Sequence, residues 1–198
     1  MTAMPTLETE RLIIRPFALS DLDALHHLLD LEQADAETGT AGAQTREQRQ
    51  AWLEWSVLNY AQLAWMFQPP YGDRAMVLKS SGELIGACGY VPALGPFGLL
   101  PTIQANEALA RAARFAPEVG LYWQVARAHQ RHGYASEAAR ALIAYAFAHI
   151  NLKRIVATTT HDNAASIGVI QKAGMRIEAN PLPVPPWFQV VGIREFDD

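Results

Sequence analysis

Glu118-Val119-Gly120-Leu121-Tyr122-Trp123-Gln124-Val125 has the β-branched and aromatic composition of a strand, Gln130-Arg131-His132-Gly133-Tyr134-Ala135 follows as a tight turn, and Ser136 to Ile150 continues almost wholly apolar without Gly or Pro. Such a helix must be buried against a sheet, so these residues predict a strand, a turn and a covering helix. Gly133 permits the turn and close approach of a ligand, and the small Ala135 leaves the floor open. The first turn of the helix leaves backbone N–H groups unpaired, and with the helix dipole these form an anion site. The Gly-Lys-Ser/Thr ending of an ATPase loop is missing, and a Rossmann fingerprint needs three spaced glycines. The residues therefore point to a phosphorylated ligand other than a triphosphate-magnesium complex, or, more plainly, to a turn that only packs strand on helix.

Working outward, Leu12-Ile13-Ile14-Arg15-Pro16-Phe17 reads as a strand stopped by its proline. Ser20 with Asp23 then resembles a capping box, opening a helix whose Leu22, Leu25, Leu28 and Leu29 share one face. Thr45 with Gln48 forms a second such box before a helix carrying Leu53, Val57, Tyr60 and Ala64 on one stripe, together with Trp52, Trp55 and Trp65. That helix is either core packing or the wall of an acceptor pocket. Ala75 to Lys79 and Leu84 to Val91, joined through Ser80-Ser81-Gly82-Glu83, predict a hairpin. From about 92 to 117 runs a long insertion between predicted strands 3 and 4, a loop with a short helix over Glu107 to Phe115; connections of this length are often lids. Downstream come a strand (Arg154 to Thr160), a helix (Ala164 to Ala173) ended by Gly174, and a strand (Met175 to Ala179). The proline-rich loop Pro181 to Pro186 then leads to a last strand, Trp187 to Ile193. Strand-helix alternation with hairpins at both ends predicts a mixed α/β sheet.

The 198 residues, half of them apolar, suit one domain spanning 1–198. Cys88 is the sole cysteine, which excludes an internal disulfide framework; it reads as a small core residue in a reducing, cytoplasmic protein. Sixteen Lys plus Arg against twenty Asp plus Glu give a net charge of -4, the wrong sign for a nucleic-acid binder and mildly favourable to a cationic partner. No apolar run of about twenty residues marks a membrane span. His26, His27, His129, His132, His149 and His161 show no metal-ligating spacing, so no metal is expected.

Gln-x-x-Gly-x-Ala at Gln130, Gly133 and Ala135 is similar to the pyrophosphate loop of the GNAT acyltransferase superfamily. Three further stretches match in order: Leu7-Glu8-Thr9-Glu10-Arg11-Leu12-Ile13-Ile14-Arg15, then Glu118-Val119-Gly120, then Asn163-Ala164-Ala165-Ser166 followed by Lys172-Ala173-Gly174-Met175. Together they resemble the RimJ/RimL-type branch, whose members acetylate protein N-terminal amines or small amines. The resemblance implies the GNAT fold: a mixed central sheet of about seven strands flanked by helices, with a splay between strands 4 and 5. Pantetheine would lie in that splay against the backbone of Trp123, Gln124 and Val125. Gln130 and the main chain of Arg131, His132, Gly133, Tyr134, Ala135 and Ser136 would hold the pyrophosphate. Asn163 would contact the pantetheine arm, and Ser166 would point towards the thioester sulfur.

Acetyl-CoA is thereby implied as co-substrate, with an amine, on a protein N-terminus or a small molecule, attacking it directly in a ternary complex. Glu118 would accept the amine proton, directly or through water, and backbone N–H near Trp123 to Val125 would meet the developing oxyanion. The family's acid is often a helix tyrosine, where this chain has Ile170; Ser166 or bulk water remains for that role. Against these roles, Glu118 is also an ordinary strand-end carboxylate, and Ser166 an ordinary helix serine. Arg127 replaces a usual proline, and Arg131 a usual glycine. Homodimers are common in the family, so self-association is expected as well. An alternative is a catalytically silent acyl-CoA-binding sensor or scaffold, which the missing tyrosine suits.

Overall fold

The structure is a computed structural model and describes residues 3–32, 42–103 and 114–196. They form two compact units, one from Met1–Tyr90 with Tyr122–Leu142, the other from Val91–Leu121 with Ile143–Asp198.

In the first unit the strand order is β1 (Leu7–Glu8), β2 (Leu12–Pro16), β3 (Gly72–Leu78), β4 (Leu84–Gly95) and β5 (Ala116–Val125), with β4 and β5 continuing into the second unit. β1 to β4 are antiparallel neighbours, with Leu7 opposite Ile14, Leu12 opposite Leu78 and Asp73 opposite Gly89. The end of β5 is tied to β4 by Ala126 N–H donating to the Ile85 carbonyl at 2.8 Å. Helix α1 (Leu22–His26), which runs on through a π turn at His27–Leu31, packs with α2 (Arg46–Trp65) on one sheet face. There Leu22, Leu25 and Leu53 meet Phe17, Ala75, Val77 and Ala87. Side chains alternate along a strand, so Tyr90 lies on the other face, where its hydroxyl donates to the Leu142 carbonyl of α3 (Tyr134–Tyr145) at 2.6 Å.

The Thr45 capping box forms as its spacing predicts: Gln48 N–H donates to Thr45 Oγ1 at 3.3 Å and Thr45 N–H to Gln48 Oε1 at 2.9 Å. The expected Ser20–Asp23 box does not. Asp21 caps that turn instead, accepting from Ala18 N–H at 2.8 Å while Arg15 grips both its oxygens at 2.7 and 2.8 Å. The charge-assisted pair outcompetes a neutral serine cap. Of the α2 tryptophans only Trp52 turns inward, edge-on to Phe17 at 5.9 Å, while Trp55 and Trp65 are exposed.

In the second unit the order is β4, β5, β6 (Arg154–Thr159), β8 (Val190–Glu195) and β7 (Arg176–Ala179). β5 and β6 run parallel and pair, among the described residues, at Gly120 and Val156. β6 and β8 are fully antiparallel from Arg154 opposite Glu195 to Thr159 opposite Val190. Helix α4 (Ala164–Lys172) lays Ile170 over Gly192 of β8, and Phe97, Leu100, Val156, Phe188, Val191 and Ile193 form the core.

Three boundaries differ from expectation. Among the described residues there are eight strands rather than about seven, because Leu7–Glu8 adds an edge strand. β4 runs on through Pro92 to Gly95, so the long connection begins later; its expected helix falls almost entirely on 104–113, outside the described residues. The last strand starts at Val190 and not Trp187, because Pro186–Phe188 makes a 3-10 turn that seats Phe188 edge-on against Phe97 at 4.9 Å.

Candidate functional site

After β5 the first unit makes a short turn, Arg127–His129, and then the loop that the sequence singles out. Gln130 is extended, Arg131 and Gly133 have φ of 62° and 84°, and α3 begins at Tyr134. The first helical bond runs from Glu137 N–H to the Gly133 carbonyl at 3.0 Å. Among the described residues the six consecutive N–H groups of Arg131 to Ser136 have no acceptor. Left-handed residues alternating with ordinary ones turn successive N–H groups into one concavity, and a helix N-terminus adds its partial positive charge. The arrangement is an anion cradle. At Gly133 the backbone hand selects glycine, since an added Cβ would meet only Arg11 Nη2 at 3.5 Å.

The cradle is clamped from a distance in sequence. Glu137, buried in the first turn of α3, accepts from Arg11 N–H at 2.9 Å, Arg11 Nε at 2.7 Å and Thr9 Oγ1 at 2.5 Å. Arg11 also donates to the His132 carbonyl at 3.0 Å and lies 4.6 Å above the Tyr134 ring, on which His132 stacks at 5.8 Å. Burial works to raise the Glu137 carboxyl, but the bonds from Thr9 and Arg11 outweigh it and hold the group below its ordinary value. Sequence reading gave no role to Thr9, Arg11 or Glu137. The signal lay in the Leu7 to Arg15 stretch and in one acidic residue opening an apolar helix.

Gln130 does not face the cradle as a free amide: its Nε2 donates to the Val125 carbonyl at 3.1 Å, bracing strand against loop. Trp123 and Gln124 are half-buried and Val125 is buried. β4 presses close on this stretch, since a Cβ on Gly86 would overlap the Gln124 carbonyl oxygen.

The other sequence candidates lie in the second unit. Glu118 is ion-paired with Arg154, which also reaches Glu195 at 3.5 Å. Burial works to lower the Arg154 guanidinium, yet its bonds with Glu118 and Glu195 raise it above the ordinary value. Asn163 caps α4, its Oδ1 accepting from Ser166 N–H at 3.0 Å, and the half-buried Ser166 hydroxyl has no partner among the described residues. Ile170 is fully buried over Gly192, so this position serves packing. The residues thus fall into two groups, Trp123–Val125 with Gln130–Ser136 in one unit, and Glu118, Asn163 and Ser166 in the other.

Among the described residues no three His, Cys, Asp or Glu side chains gather as a metal site, and no helix is long and apolar enough to cross a membrane. Burial pushes the Cys88 thiol up, away from thiolate chemistry.

A sequence model of the family described as acetyltransferase (GNAT) domain matches residues 11–176. The uncharacterized protein YkkB of Bacillus subtilis (strain 168) is 29% identical over 198 residues, covering 98% of this chain and 97% of that protein. Among solved structures, an acetyltransferase from Agrobacterium tumefaciens str. C58 superposes with a TM-score of 0.68 at 24% identity, over 99% of this chain and 97% of the other. RimL, a ribosomal L7/L12 alpha-N-protein acetyltransferase in complex with coenzyme A, superposes with a TM-score of 0.63 at 15% identity, over 96% of each chain. These two likenesses concern the fold.

Proposed function

The chain belongs to the GNAT acetyltransferase family, and from that premise we propose that it transfers an acetyl group from acetyl-CoA to a primary amine, on a protein N-terminus or a small molecule, with Arg131 to Ser136 holding the coenzyme's pyrophosphate. The observation that carries this reading is the run of six N–H donors, unengaged among the described residues, around two left-handed residues and clamped by Arg11 and Glu137. The coenzyme supplies an activated acyl thioester, which a neutral amine attacks directly, displacing the thiolate. The protein's part is positioning and charge placement.

Backbone N–H near Trp123 to Val125 is assigned to the carbonyl oxygen as charge develops. Glu118 is assigned the amine proton, taken through water while Arg154 keeps the carboxylate in one orientation. Ser166, whose hydroxyl is unengaged among the described residues, is assigned to the departing thiolate, and Asn163 to the pantetheine arm. One catalytic domain over 1–198 completes the proposal, and the RimJ/RimL-type motifs favour that branch.

A thiol-release assay with a panel of amines and free-N-terminus peptides tests it. Saturable release requiring both substrates supports it. Binding of acetyl-CoA with no release from any acceptor favours the silent-sensor reading.

A further inference from the structure

On the sheet face beneath α2 stands Asp73, a carboxylate that the mechanism above leaves unused. It shares that face with Ala75 and Val77 of β3, which pack in the cluster under α1 and α2. Its backbone carbonyl accepts from the Tyr60 hydroxyl of α2, while its carboxylate makes no hydrogen bond or ion pair among the described residues. Arg49 is the cation near it, and its Nε and Nη2 donate to Asp30, at 2.7 Å each.

Across the sheet Asp73 is opposite Gly89. The ladder that sets Gly86 of β4 beside Val125 of β5 sets Gly89 beside Tyr122. A side chain at 89 would overlap the Gly72 carbonyl, so β4 contributes none between Asp73 and Tyr122, which stand two strand spacings, roughly 10 Å, apart. Tyr122 donates to Gln124 Oε1, the next side chain on the same face. β5 therefore presents Tyr122 and Gln124 to Asp73 while its backbone at Trp123 to Val125 is the stretch assigned to the thioester.

We propose that Asp73, facing Tyr122 and Gln124 across the bare backbone of Gly89, is the counter-charge that receives the acceptor in its ammonium form, which makes cationic alkylamines the substrate class. This rests on the acetyltransferase reading above. Burial pushes the Asp73 carboxyl up to about 6, with Arg49 opposing, and the other groups facing it are Tyr60, Tyr122 and Cys88, with Arg74 adjoining. A bound ammonium favours the ionised form, so Asp73 holds the acceptor as a cation until that ammonium gives up the proton assigned to Glu118 above and attacks as the neutral amine.

Wild type and Asp73→Asn are assayed for CoA thiol release with tryptamine, spermidine and a tetrapeptide beginning with alanine, and melted with and without acetyl-CoA at pH 7.5. In the variant the KM of the amine best used by wild type should rise at least about tenfold, with kcat within about threefold and the KM for acetyl-CoA unchanged. The sign of the stability effect separates this from a structural role. A carboxyl raised in the folded state costs stability as pH climbs from 3.8 through about 6, so removing its charge should leave the variant at least as heat-stable as wild type. An unchanged amine KM overturns the proposal, as does a lower melting temperature with equal losses for amine and acetyl-CoA. Wild type that acetylates none of the three yet is stabilised by acetyl-CoA refutes the transferase reading itself, and the ammonium site with it.

Discussion

Arg131 and Gly133 adopt the same left-handed backbone at different cost, because only one of them lacks a Cβ. Gly133→Ala should lose about 1 kcal/mol of stability from backbone strain and raise the KM for acetyl-CoA, read by urea melts and initial rates. Arg131→Gly should gain up to about 1 kcal/mol in the same melts. Glu137 carries the clamp. Its carboxyl lies below the ordinary 4.5, so the stability it lends is complete above that pH and is lost as pH falls through its lower folded value. Glu137→Gln should therefore cost about 1–2 kcal/mol at pH 7, and the gap from wild type should narrow in melts taken at pH values falling below 4.5. The loop itself was legible, because Gly133 and the helix start are local signals. Its clamp was not, because nothing local says that Arg11 will meet a carboxylate 126 positions away. The Glu118–Arg154 pair was hidden for the same reason: it joins two strands whose pairing no pattern in either one specifies.

Among the elements, those decided by short-range chemistry could be read from sequence and those decided by tertiary competition could not. Thr45 and Gln48 form their box because both partners lie within one turn of chain. Ser20 loses its turn to Asp21 once β2 brings Arg15 alongside. Trp187 and Phe188 have strand-forming side chains, yet Phe97 claims Phe188 for the core and a 3-10 turn results. α4 and β8 are coupled through one close approach, in which a Cβ on Gly192 would stand 2.5 Å from Ile170 Cγ2. Gly192→Ala should destabilise the protein by about 1–3 kcal/mol, and trimming the neighbour in Gly192→Ala/Ile170→Val should recover part of the loss in a thermal melt.

At the scale of the molecule, membership of the GNAT family accounts for the mixed sheet and for the loop after β5. A net charge of -4 favours encounter with cationic acceptors, so kcat/KM for a cationic amine should fall as salt rises from low ionic strength, while that for acetyl-CoA should not fall in parallel. The central claim is that the Arg131 to Ser136 cradle takes the coenzyme's pyrophosphate. Calorimetric titration of the wild-type protein with acetyl-CoA, set beside S-acetylpantetheine, which carries the thioester without the pyrophosphate, tests it most directly. The expected result is one saturable site per chain for acetyl-CoA, at least about tenfold tighter than for the truncated thioester. Equal affinity for the two ligands, or no binding of acetyl-CoA, would contradict it.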